Sequence, residues 1–341
     1  MEPAGLSQHL GENVQRRGKW LAIAQWCLAH SILADLVTFG RALRPHGVVY
    51  ASIGKKYLAM ALLSAYSLRS DMVRFNLADD LELALCENAT RHLGRKWECF
   101  DVRQSQAYLE HAACLADATA QDKILGRSDY MSRVLKLLSI LDAPFEVAMF
   151  LDSDTKPCHA LSELLAAHGL NSASAFSTYD VLIGYARKAT NPFSRVEGMQ
   201  PLPLIHKLKG GHEGIPFAFG EPNSGVILYR ADRLVVTRML KDWLRRYCND
   251  ISGKSHHKDQ PLLRTALWQS QKKHGLRVMR LLPEWNMKGW RTFMPTDRSC
   301  CAPDATRTGL RIIIDHDCTL TPADNFWLQA ILPSDVKGKE R

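Results

Sequence analysis

The apolar run Val147-Ala148-Met149-Phe150-Leu151 stops abruptly at Asp152-Ser153-Asp154. An unbroken apolar stretch of this length predicts a strand buried on both faces, and Thr155, Lys156 and Pro157 end it. Val48-Val49-Tyr50-Ala51-Ser52 reads the same way and is the first strand of the domain. Val226 to Tyr229, Arg277 to Leu282 and Leu310 to Ile314 predict later strands. Helical spacing marks Tyr57 to Leu68, with apolar Leu58, Met60, Ala61, Leu62, Leu63 and Ala65. It marks Tyr130 to Leu141 as well, opened by Ser128 or Asp129 as N-cap, and then Leu234 to Tyr247 and Pro261 to Trp268. Between residues 70 and 130 short helices and strands alternate without clear edges. The βαβ rhythm predicts an α/β fold with a mostly parallel, doubly wound sheet. No internal repeat is visible.

Two stretches depart from this rhythm. From Ile183 to Glu221 the chain is irregular and rich in Gly, Pro and Lys, the composition of a long functional loop. Trp20 to Phe39 follows Arg16, Arg17 and Lys19, as a membrane anchor would. Gln25, His30 and Asp35 interrupt it, and ionised groups at mid-membrane are costly. Trp26, Ala29, Leu33 and Leu36-Val37 instead suit an amphipathic helix, which makes a cytoplasmic location the expectation and a Golgi-type anchor the alternative. The expected organisation is an extension with this helix over 1–45, a catalytic domain over 46–332 and a charged tail over 333–341.

Composition narrows the classes. The chain has 341 residues, 46% of them hydrophobic and 23% charged, enough for a sizeable core without cross-links. Its net charge of +9 suits anionic partners such as nucleotide diphosphates, acidic glycans or an anionic membrane surface. No nucleic-acid motif and no basic run accompanies that charge, so nucleic acid is not expected as a partner. Nine cysteines without a C-x-x-C predict free thiols in a reducing compartment, neither a disulfide framework nor a zinc site. Asn88-Ala89-Thr90 is a glycosylation sequon, usable only in a secreted chain. The absence of G-x-S-x-G, a Walker loop and G-x-G-x-x-G disfavours hydrolase, NTPase and dinucleotide chemistry.

The candidate chemistry sits at strand and helix ends. Asp152 and Asp154 at a strand's carboxyl end lie where open α/β sheets bind ligands, and their oxygens suit Mg²⁺ or Mn²⁺. The same spacing also suits a solvated turn. Asn223-Ser224-Gly225 offers an amide, a hydroxyl and a close backbone approach, or a plain turn. Asp259-Gln260-Pro261 offers a carboxylate and an amide, or an N-cap. Leu282-Pro283-Glu284-Trp285-Asn286 suits a pocket wall or a packed loop, and His316 between Asp315 and Asp317 a Mn²⁺ ligand or a structural histidine.

Taken in order, Lys136, Leu151-Asp152-Ser153-Asp154, Asn223-Ser224-Gly225-Val226, Asp259-Gln260, Leu282-Pro283 through Asn286, and His316 resemble the GT-A-fold glycosyltransferases. The pattern is most similar to glycosyltransferase family 8, the glycogenin-like and galactinol-synthase-like group. The resemblance runs from about Gly47 to Cys318. It implies a UDP-sugar donor with uridine at Tyr50, Ala51, Ser52 and Tyr57, donor charge met by Lys136, and metal and diphosphate at Asp152 and Asp154. It implies donor-sugar contacts at Asn223 and Ser224 and a pocket contact at Asn286. Asp259 and Gln260 would stand beside the reacting anomeric carbon, and His316 would be the third metal ligand.

Two departures stand out. Asp317-Cys318-Thr319-Leu320 follows the histidine where the family carries a lysine segment, and His256 stands where glycogenin-like members tend to carry an acid. The expected reaction is metal-dependent hexose transfer to a glycan or other hydroxyl acceptor with retention, Asp259 acting as electrostatic stabiliser or nucleophile. A catalytically impaired binding or scaffold protein on the same fold is the alternative. A nucleotide-sugar pyrophosphorylase is disfavoured because Ser52-Ile53-Gly54-Lys55-Lys56 is a poor phosphate loop.

Overall fold

The computed structural model describes residues 43–126, 129–158, 160, 162, 179–183, 215, 219, 222–252, 259–281 and 314–315. The chain divides into Met1–Leu43 and Arg44–Arg341, and the fold below belongs to the second unit. Its strands are β1 Arg44–Ala51, β2 Val73–Leu77, β3 Glu98–Asp101, β4 Phe145–Leu151, β5 Lys156–Pro157, β6 Val181–Ile183, β7 Val226–Arg230, β8 Val278–Arg280 and β9 Ile314–Asp315. Its helices are α1 Lys55–Ser67, α2 Asp80–His92, α3 Gln106–Glu110, α4 Ala112–Leu125, α5 Asp129–Leu141, α6 Leu234–Ser252 and α7 Gln260–His274.

Seven strands form one sheet in the order β3-β2-β1-β4-β7-β6-β8. Parallel pairings join β1 to β2 and β4, β2 to β3, and β6 to β8, while β7 runs antiparallel to both β4 and β6. The expected α/β fold with a mostly parallel sheet is therefore what the chain adopts.

The central runs Val48–Tyr50, Val147–Leu151 and Val226–Tyr229 are apolar because both faces of the sheet are covered there. Along β1, Val49 joins the core on one face while Val48 and Tyr50 join the core on the other. Ala148 and Phe150 alternate in the same way with Met149 and Leu151, and Ile227 and Tyr229 with Val226 and Leu228. Helices α4 to α7 contribute to the first core, and α1 and α2 to the second. Helix α6 shows how: Val236, Met239, Leu240, Trp243, Leu244, Tyr247 and Ile251 form one buried stripe at helical spacing. Each such large side chain stabilises the fold by about 1.5–3 kcal/mol relative to exposure.

Gly47 is needed in β1 because a Cβ there would lie 2.2 Å from the Phe145 ring of β4. The strand order turns back at β1, whose other neighbour β4 comes later in the chain. This switch point opens a crevice at the strands' carboxyl ends. Since β7 is reversed, its start lies beside the end of β4. Leu151 pairs with Val226, and the Asp152 N–H donates to the Gly225 carbonyl at 2.9 Å. A second, two-stranded sheet pairs Lys156 of β5 with Asp315 of β9.

The expectation of free thiols is corrected. Cys86 is bonded to Cys99 and Cys114 to Cys248, and Cys158 is also disulfide-bonded. Sequence separations of 13 and 134 show why the absence of C-x-x-C was uninformative. The fold, not the local spacing, brings the Cα atoms to 6.0 and 5.3 Å. Among the described residues no helix is long and apolar enough to cross a membrane. Residues 20–39 and the 184–214 part of the expected loop lie outside them.

Candidate functional site

A cavity of about 320 Å³ lies at the switch point. Ala51 and Ile53 line it from the end of β1, and Tyr57 from the first turn of α1. Phe150, Asp152, Ser153 and Asp154 come from the end of β4. The reversed β7 brings Ser224, and the start of α7 brings Asp259 and Gln260. Helix α5 supplies Asp129, Ser132, Arg133 and Lys136, which share one face at i, i+3, i+4 and i+7.

Lys136 is the centre of the polar wall. Its ammonium donates to Asp152 Oδ1 at 2.8 Å and to Ser224 Oγ at 2.9 Å, and stands 3.8 Å from Asp259 Oδ2. The Ser224 hydroxyl in turn donates a hydrogen bond to Asp259 Oδ2 at 2.8 Å. The Phe150 ring centre lies 5.1 Å from Nζ, a cation–π contact on the remaining side.

Asp259 is buried, and burial alone would raise its pKa. The charges of Lys136 and Arg133 and the Ser224 hydrogen bond outweigh that, so its carboxyl is held below the usual carboxylate range. Its main chain is helical, with φ −83° and ψ −27°, and its side chain makes no capping hydrogen bond. The N-cap alternative is thus not realised, and the carboxylate serves the cavity wall. Trp243 Nε1 donates to its carbonyl at 2.9 Å and fixes the start of α7.

Tyr57 is 51% exposed, an aromatic face open to solvent at the cavity. Tyr50 is elsewhere: its side chain is buried, stacks on Phe75 with ring centres 5.4 Å apart, and shares a 2.8 Å hydrogen bond with Ser64. Ser52 is buried behind the wall, 3.1 Å from the Ser153 hydroxyl. Asn223 is buried too, and its Oδ1 accepts from the Gly225 N–H at 2.7 Å, shaping the turn that presents Ser224. Asn286 and His316 lie outside the described residues.

Asp152 and Asp154 bring two hard oxygen donors to one cavity wall, a donor type that Mg²⁺ and Mn²⁺ take. No group of three or more His, Cys, Asp or Glu able to hold a metal is present among the described residues. Asp315 pairs with Lys156, two residues after Asp154 in the chain.

Arg133, Asp129 and Ser132 were not singled out by motif. The signal was a periodic one: polar residues at 129, 132, 133 and 136 form a stripe on a helix whose other positions, Ser139 apart, are aromatic or aliphatic. A stripe of that kind facing a crevice marks a wetted wall rather than a core face.

No family model matches the chain, and no curated protein matches it. Among solved structures it is similar to the glycosyltransferase GlyE of Streptococcus pneumoniae TIGR4, with 12% identity and a TM-score of 0.43 over 85% of this chain and 61% of that one. It is also similar to the PaToxG glycosyltransferase, with 14% identity and a TM-score of 0.38 over 91% of this chain and 94% of that one. The chain therefore spans 61% of the length of GlyE. At these identities and scores the likeness fixes no activity.

Proposed function

We propose that this chain is a glycosyltransferase, taking a nucleoside-diphosphate sugar into the switch-point cavity and passing the sugar to a hydroxyl acceptor. What supports the reading is the convergence of Tyr57, Lys136, Asp152, Asp154, Ser224, Asp259 and Gln260 on that one cavity from five separate elements. In this reading uridine stacks on the exposed Tyr57 ring, and Ala51 lines the base pocket. Asp152 and Asp154, with His316 as the third ligand, hold Mn²⁺ or Mg²⁺. The cation supplies charge stabilisation for the departing diphosphate.

The chain's own residues do the rest. Lys136 adds a fixed positive charge beside the diphosphate, and Ser224 contacts the donor sugar. Asp259, ionised and buried, faces the positive charge that grows at the anomeric carbon as its bond to the diphosphate breaks. The acceptor oxygen forms the new bond on the same face, and its proton leaves with the diphosphate, so configuration is retained. The +9 charge raises the local concentration of such anionic donors. The disulfides favour an oxidising compartment over the cytoplasm as the place where this chain folds.

The test is release of nucleoside diphosphate from a panel of nucleotide sugars with Mn²⁺, for the wild type and for Asp152→Ala/Asp154→Ala. The wild type should release it and the double variant should not. Full release by the double variant in metal-free buffer refutes the assignment. Tight donor binding without turnover would instead identify a binding protein on this fold.

A further inference from the structure

Asp259 is held by both oxygens, and the two have different partners. Oδ2 accepts from Ser224 and lies 3.8 Å from Lys136, while Oδ1 lies 3.7 Å from Arg133 Nε. The last torsion of an aspartate is soft and nearly two-fold, so a carboxylate fixed at one oxygen can still swing the other. Arg133 is the one cation placed against Oδ1 among the described residues.

The guanidinium is itself immobilised. Its NH1 donates to the Asp129 carbonyl one turn back at 2.8 Å. A planar fork anchored to its own helix holds its remaining contact in one direction, which a flexible ammonium does not do. Arg133 is also only 25% exposed.

From this geometry we infer that Arg133 is a positioning residue: it locks the Asp259 carboxylate in one orientation toward the donor sugar. The inference rests on the glycosyltransferase reading of the cavity. In this account Arg133 acts through Asp259, so its loss should act on turnover more than on donor binding.

Steady-state kinetics with whichever donor the wild type turns over tests this, using Arg133→Ala and Arg133→Lys. Arg133→Ala should lower kcat on the order of 10- to 100-fold, the range for a misplaced reacting group. Donor KM and UDP affinity should stay within about twofold. Millimolar guanidinium chloride should restore part of the lost rate, whereas methylammonium and Arg133→Lys should not, because neither supplies the fork.

A raised KM with kcat unchanged would overturn the inference in favour of direct donor contact. So would wild-type kinetics in Arg133→Ala, or in Arg133→Lys if Arg133→Ala fails to fold. A wild type inactive on every donor would instead refute the transferase reading, and the positioning role with it.

Discussion

Replacing Lys136 with Met removes the charge at the centre of the polar wall while keeping most of the stem's volume. Nζ is 2.8 Å from Asp152 and 3.8 Å from Asp259, and the side chains of Lys136 and Asp259 are only 11% and 8% exposed. At that separation, with an effective dielectric of about 20, the lost attraction to Asp259 is about 4 kcal/mol. Breaking a buried pair typically costs about 3–5 kcal/mol. Two features reduce it here: Asp152 is 28% exposed and can rehydrate, and Arg133 remains 3.7 Å from Asp259. A loss of about 2–3 kcal/mol in urea unfolding at neutral pH is therefore expected for Lys136→Met.

Asp259→Asn removes the stranded charge. The double variant should then be more stable than the sum of the single losses by about 1–2 kcal/mol. The pH dependence has a definite sign. The folded pKa of Asp259 is depressed, so its contribution is present above the unfolded value of about 3.9 and is lost as pH falls through the folded value. Without Lys136 the burial of Asp259 is less opposed, so that loss begins at a higher pH. A Lys136→Met protein within about 0.5 kcal/mol of wild type, or strict additivity in the double variant, would refute the coupled wall.

Gly47→Ala puts a methyl group into the Phe145 ring and should cost about 1–3 kcal/mol in the same unfolding assay. Combining it with Phe145→Leu should lessen that cost, and equal losses would refute the steric account. Peptide mapping without reductant should recover the Cys86–Cys99 and Cys114–Cys248 linked pairs. Recovery of these cysteines as free thiols from protein kept oxidised would refute the pairing.

The central strands were legible because burial on both faces leaves no polar residue to interrupt them, as in β1, β4 and β7. β2 was not, because it carries Arg74 and Asn76. The fold accommodates these with Glu98 and Asp142 around the guanidinium and the Tyr50 carbonyl for the amide. β6 has three residues, too few for any period to show. Helix α7 runs on to His274, because Gly275 at φ 67° supplies the stop that the apolar pattern did not.

For the site, ordered motifs located Asp152, Asp154, Ser224 and Asp259. Only the reversed strand β7 explains how Ser224 and Asp152 become neighbours. Arg133 was present in the sequence as a periodic polar position. Disulfide pairs 134 residues apart leave no local trace at all.

A manganese-edge anomalous difference map from crystals grown with UDP and Mn²⁺ tests the central claim most directly. The account predicts one peak within coordinating distance of Asp152, Asp154 and His316, with the uracil ring against Tyr57. A peak elsewhere, or UDP ordered outside the cavity between Lys136 and Tyr57, would contradict it.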